Sequence, residues 1–229
     1  MSIDKFRLRI LGFSGIVGAL MLFAGDMLFY YDSAGTNLKL NMANASDYRI
    51  MANGILALLS TWFYLIGTGQ VFYAFLPSSK TARNIVAVSF VFILIGYGIV
   101  HSAYIAIAAT AKVALQNQLD IETATALASN VNHTIRLLIY PLFALLSFVF
   151  IRQVWKKKTF YPRWIILFFP LLPFLFKGLI SKSLSGGIWI VISGGYLNLM
   201  LVVFFTASTI ALWNCNPGQD KNCSGNNIN

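Results

Sequence analysis

Charged side chains are scarce in this sequence. Only 10% of its 229 residues are Asp, Glu, Lys or Arg, against roughly a quarter in an ordinary soluble domain. This scarcity excludes a soluble globular domain and a charged disordered chain. Cysteine is also rare, because the chain has only Cys215 and Cys223, both in the C-terminal segment. A disulfide-rich secreted module is therefore excluded as well.

The sequence also lacks the common motifs of catalytic, phosphate-binding and metal-binding sites. It has two histidines and no His-rich cluster, no glycine loop for phosphates and no serine-nucleophile motif. We therefore predict no cofactor and no metal. A zinc site built from Asp26, His101 and His133 has plausible ligand types, but the two histidines lie at different depths. If the C-terminal segment is cytoplasmic, Cys215 and Cys223 are expected to be reduced thiols.

Apolar residues dominate what is present, at 58% of the chain. A bilayer core about 30 Å thick needs about 20 mainly apolar residues as a helix. The sequence therefore predicts an all-α integral membrane bundle of six helices in a single domain, residues 1–213, followed by a disordered tail, residues 214–229. The predicted spans are 8–30, 50–76, 84–111, 134–151, 164–180 and 186–213.

Two of these spans have unusual features. Lys5, Arg7 and Arg9 precede the first span, as in a signal peptide, but its apolar run is too long and Asp26 occupies the expected cleavage region. We therefore interpret it as a membrane helix that stays in the protein. The fifth span carries Pro170 and Pro173 and is expected to be kinked, because proline lacks a backbone donor.

Basic residues predict the orientation, since short loops rich in Lys and Arg stay in the cytoplasm. With both termini inside, eleven of the seventeen basic residues fall on the cytoplasmic side. The net charge of +10 lies in loops beside the membrane, so we interpret it as attraction to anionic lipid. Membrane lipids are thus the expected partners, and no nucleic acid is expected.

The polar residues inside the spans are few, and they are costly in lipid. Asp26 is the only acid within a predicted span. If the helices adjoin suitably, these residues form an outward-facing funnel with Asp26 and Arg136 as its main pair. The candidate ligand-binding residues are Asp26, Asn53, Tyr97, His101, His133, Arg136 and Asn198. The rim of the funnel consists of Asp26, Tyr30, Asn53, His133 and Arg136, and its floor of Tyr97, His101 and Asn198.

Three interpretations of this set remain open. The funnel binds or transports a small amphipathic or lipid-like molecule, with Arg136 holding an anionic group. Alternatively, the protein is an intramembrane isomerase or cyclase in which His101 is the base and Asp26 orients it. In the third interpretation the polar residues only hold the helices together.

Three ordered motifs give the chain a wider resemblance. They are the runs 11–15 and 23–26, the run 160–164 followed by Pro170, and the run 194–198 ahead of 204–206. Together they resemble a family of polytopic membrane proteins known only as a domain of unknown function. The resemblance implies an integral membrane protein, in a bacterial inner membrane, and carries no assigned activity.

Overall fold

The computed structural model describes residues 4–32 and 37–215. These residues form eight helices and no strand. The helices are α1 (Lys5–Tyr30), α2 (Leu38–Asn44), α3 (Asp47–Ala74), α4 (Lys80–Gln116), α5 (Ile121–Trp155), α6 (Ile165–Phe168), α7 (Leu171–Lys182) and α8 (Gly186–Ala211).

Five of the eight helices, α1, α3, α4, α5 and α8, are long and apolar enough to cross a membrane. They contain five of the six predicted spans. Only the last two residues of span 50–76 and of span 186–213 lie beyond the corresponding helices. The fifth predicted span, 164–180, is not one helix but the short α6 and the longer α7, which Phe169 and Pro170 separate. Proline disfavours helical backbone in the residue before it, which explains the break at Phe169. The tail from residue 216 onward lies outside the described residues.

Local sequence sets where these helices begin. Ser79 precedes α4 and accepts a hydrogen bond from the backbone N–H of Ala82. Asp120 precedes α5 and accepts one from the backbone N–H of Thr123 at 2.7 Å. This hydrogen bonding stabilises the ionised carboxylate and lowers the pKa of Asp120 below its usual value. Both residues are of the type that caps orphan N–H groups at a helix start.

Helix packing follows the stripes of small residues. α1 packs mainly against α3 and α8, while α4 packs against α5 and α3. At the crossing of α1 and α3, a side chain on Gly67 would lie 2.6 Å from the Cα atom of Gly15. Such close contact requires glycine, because even one methyl group would overlap the neighbouring backbone.

The two ends of the bundle have different characters. At the end we call the basic end, Arg9 donates to the carbonyl of Trp213 and stacks on its ring at 4.0 Å, so both ends of the described chain lie together. At the opposite end, which we call the α2 end, Lys112 pairs with Asp47 and Lys39 pairs with Glu122. The first ion pair joins α4 to α3, and the second joins α2 to α5.

The α6–α7 segment connects one end of the bundle to the other. Just before α6, the N–H of Phe160 donates to the carbonyl of Ala74 at the basic end. Along α7, the hydroxyl of Ser193 on α8 lies 3.5 Å from that of Ser181. α8 begins only seven residues before Ser193, at the α2 end. α6 and α7 together therefore extend from the basic end toward the α2 end, alongside α8.

Candidate functional site

A buried polar cluster surrounds Asp26, which is 1% exposed. α1 presents this carboxylate toward α4 and α8. Asp26 Oδ2 accepts a hydrogen bond from Asn198 Nδ2 at 2.6 Å, and His101 Nδ1 lies 3.1 Å from Asp26 Oδ1. A carboxylate in this position needs such partners because an ionised group is costly inside a membrane.

The expected pairing of Asp26 with Arg136 is wrong. Asp26 contacts His101 and Asn198 instead, and the Arg136 guanidinium forms no ion pair with it. The reason is helix order: α1 packs against α3 and α8, whereas α5 packs against α4. Arg136 therefore faces the cluster from a distance and donates to the Tyr104 hydroxyl at 3.4 Å.

A cavity of about 250 Å³ brings most of the predicted residues together. We call it the inner cavity. Its lining includes two cationic side chains, Arg136 and Lys177, and the phenols of four tyrosines. The charged and polar residues of its wall are Asp26, Tyr30, Tyr97, His101, Tyr104, Arg136, Lys177, Ser193, Tyr196 and Asn198.

A second, wider cavity of about 690 Å³ lies next to the inner cavity, at the α2 end. We call it the outer vestibule. Tyr30, Leu38, Tyr104 and Arg136 line both spaces. His133 is exposed and lines only the vestibule. Asp26, which the sequence places at the rim of the funnel, lines only the inner cavity.

Asn53 lies outside both spaces. It is fully buried, and neither its amide nitrogen nor its amide oxygen has a hydrogen-bond partner. Its nearest described neighbour from α1 is Gly25, where an added side chain would lie 3.4 Å from Asn53 Nδ2. The structure therefore gives Asn53 no contact with the inner cavity.

Three atoms in the wall of the inner cavity have no hydrogen bond of good geometry. They are Asp26 Oδ1, His101 Nδ1 and Asn198 Oδ1. The 3.1 Å contact between the first two is short enough for an ion pair, yet the ring N–H does not align with the oxygen. Buried polar groups are almost always satisfied in folded proteins. All three atoms are buried within the wall itself.

Lys177 is a wall residue that the candidate set omits. Its burial in α7 is partial, and its ammonium lies 5.9 Å from the centre of the Tyr196 ring. It lies close enough to Arg136 for the two charges to interact. A single lysine within the apolar stretch 164–180 is a signal that sequence reasoning can use, since basic residues inside spans usually face an interior space.

A second polar group, near the basic end, is also absent from the candidate residues chosen from the sequence. The Tyr161 hydroxyl lies 2.7 Å from Ser208 Oγ, which donates to Gln70 Oε1 at 2.7 Å. Gln70 Nε2 donates to the carbonyl of Leu8 at 3.2 Å. These hydrogen bonds tie α1, α3 and α8 to the segment before α6. Because each of these polar groups already has a partner within the protein, we interpret the group as structural.

Metal ligation finds no support in the geometry. Among residues 4–32 and 37–215, no three His, Cys, Asp or Glu residues are grouped closely enough to hold a metal ion. His101 and His133 line different spaces.

Comparison with known proteins gives one family. Residues 1–214 match the model of a family of unknown function (DUF6796). The chain belongs to this family. The resemblance inferred from the sequence motifs is thus confirmed, and the match covers all eight helices. No curated protein and no solved structure shows a significant match.

Proposed function

We propose that this family member binds a small amphipathic molecule with an anionic polar group in its inner cavity, and holds it or moves it across the membrane. The observation that carries the proposal is an interior space with more positive than negative charge. Arg136 and Lys177 both line it, whereas Asp26 is the only carboxylate in its wall. Asp26 is already engaged by His101 and Asn198.

The remaining wall supports an amphipathic rather than a purely ionic ligand. Tyr97 and Leu197 lie on one side of the cavity and Tyr30 and Tyr104 on another. Tyrosine rings offer apolar faces together with hydroxyl groups that donate or accept hydrogen bonds.

The test is native mass spectrometry with lipid analysis of protein purified in mild detergent. We expect a discrete anionic molecule to co-purify with the wild type and to be reduced at least tenfold in Lys177→Gln and Arg136→Gln. Lys182→Gln is the matched control, because Lys182 is exposed on the same helix and lines neither space. Folded variants that retain the molecule, or a wild type without one, would contradict the proposal.

A second candidate function is acid–base catalysis, which the contact between His101 and Asp26 favours. A carboxylate 3.1 Å from an imidazole can orient the ring and stabilise its protonated form while the other nitrogen exchanges a proton with substrate. Turnover of the co-purified molecule that is lost in His101→Gln, with binding retained, would support this function. Binding without any turnover in the wild type would exclude it.

A purely structural role for the cluster is the remaining alternative. If Asp26 only joins α1 to α4 and α8, Asp26→Ala should lower stability in the absence of any ligand effect. Loss of binding in a normally stable Asp26→Ala protein would argue against this role.

We further infer a six-span topology with both termini in the cytoplasm of a bacterial inner membrane. The extension of α6 and α7 from the basic end toward the α2 end supports the span count, with these two helices together as the fifth crossing. The concentration of basic residues at the basic end supports the orientation. One observation favours the opposite orientation: Cys215 is disulfide-bonded, contrary to the thiol expected of a cytoplasmic segment, and disulfides persist mainly in oxidising compartments.

A further inference from the structure

An apolar crevice adjoins the inner cavity on the side away from the outer vestibule. It lies among α4, α5, the break between α6 and α7, and α8, and its wall is aromatic and aliphatic. Tyr97 and Leu197 line both the crevice and the inner cavity. A molecule with its polar group beside Arg136 and Lys177 therefore has a continuous apolar path beyond these two shared residues.

We propose that the ligand is a single-chain lipid with an anionic head group, and that its hydrocarbon chain occupies this crevice. The inference rests on the proposed function and names its substrate class. The positive charges of Arg136 and Lys177 place the anionic head group in the inner cavity. Because the crevice adjoins that cavity, the hydrocarbon chain lies in the crevice. One chain is specified because the crevice is narrow, with a free volume of about 30 Å³, and adjoins the inner cavity at Tyr97 and Leu197.

The crevice is nearly closed in this structure. Its free volume is about 30 Å³, close to the share of one water molecule in the liquid. A hydrocarbon chain therefore enters only if one wall moves outward. The helix best able to move is α7, because none of its twelve residues is buried and elements with few buried contacts open at the lowest cost.

The contact between α5 and α7 marks the place where the crevice would open to the bilayer. The Phe174 ring of α7 lies 6.0 Å from the ring of Tyr140 and 5.6 Å from that of Phe143, both on α5. All three rings line the crevice. Pro170, which separates α7 from α6, also lines it. Outward movement of α7 about Pro170 separates these rings and opens the crevice sideways to the bilayer, where a lipid chain already lies.

The test compares a long and a short ligand of the same charge. Hexadecyl phosphate carries a chain for the crevice, whereas butyl phosphate supplies the head group with almost no chain. The variant Leu146→Trp fills the crevice, because Leu146 is buried in its wall. Leu145→Trp is the matched control, since Leu145 is the neighbouring residue and is exposed.

Binding is measured in phosphatidylcholine nanodiscs at fixed ligand-to-lipid ratios. We expect Leu146→Trp to weaken hexadecyl phosphate binding at least tenfold relative to Leu145→Trp, while butyl phosphate changes less than twofold in both. Equal hexadecyl phosphate affinity in the two variants overturns the crevice assignment and leaves the proposed function standing. A wild type that binds neither phosphate overturns both proposals.

A second measurement avoids dependence on the folding of Leu146→Trp. A photo-crosslinking residue is placed at Phe174, in the crevice, and separately at Leu175, which is exposed on the same helix. Labelled hexadecyl phosphate should react at both positions, but excess unlabelled hexadecyl phosphate should suppress only the reaction at Phe174. Reaction at Phe174 that excess ligand does not suppress overturns the proposal.

Discussion

At the scale of single residues, Asp26 organises the site. As the only acid inside a predicted span, it was identifiable from sequence as a group that needs partners. Its partners were not identifiable, because both Arg136 and His101 have suitable chemistry and the choice depends on helix order. Sequence periodicity determines the inward face of each helix, but it does not determine which helix lies opposite.

Asn53 and Asn198 are both buried amides, but only Asn198 has a hydrogen-bond partner in the described structure. Asn53→Leu is expected to raise the free energy of unfolding by about 1 kcal/mol, because a buried polar group without partners costs about 1–3 kcal/mol. Asn198→Leu should lower it by about 2 kcal/mol, because it removes a hydrogen bond to a carboxylate. Denaturant titration in one detergent, without added ligand, measures both. A destabilised Asn53→Leu protein would mean that ordered water satisfies the Asn53 amide.

At the scale of helices, sequence pattern was a better guide. The small-residue stripe of α1 through Gly12, Gly15 and Gly18 is buried, as is the stripe of α3 from Asn53 to Gly67. Small residues on these faces allow membrane helices to pack closely. The break between α6 and α7 was expected only as a kink.

The crossing of α1 and α3 gives a prediction with an internal control. Gly67→Ala should lower the free energy of unfolding by about 1–3 kcal/mol, since the new methyl group would overlap the Gly15 backbone and overpacking has a cost of that size. At Gly178 on α7 nothing lies within 4 Å, so Gly178→Ala should gain about 0.5–1 kcal/mol. The same denaturant titration applies, and equal effects at the two glycines would contradict this packing.

At the scale of the whole molecule, the number of crossings and the orientation are testable together. Single cysteines are introduced at Asn117, Lys157 and Ser183 in a chain whose own cysteines are replaced by serine. The six-span topology predicts that a membrane-impermeant maleimide labels Asn117→Cys and Ser183→Cys on intact cells, but not Lys157→Cys. If only Lys157→Cys is labelled, the protein has the opposite orientation in the membrane.

The same three positions distinguish six spans from five. If α6 and α7 enter the membrane and return to the basic end, Ser183→Cys and Lys157→Cys lie on one side and are labelled alike. The structure predicts the opposite, because Ser183 follows α7 at the α2 end. Detergent-permeabilised cells provide the control, since all three cysteines should then react.

The partners of Asp26 have a further consequence during synthesis. Asp26 and Asn198 are separated by 172 positions, and ribosomes add about 5–20 residues per second. The first helix therefore leaves the ribosome roughly 10–30 s before the last helix can donate its hydrogen bond. For that interval the nascent chain carries a carboxylate without its final donor. Any chain that terminates before α8 therefore keeps a buried carboxylate that lacks the hydrogen bond from Asn198.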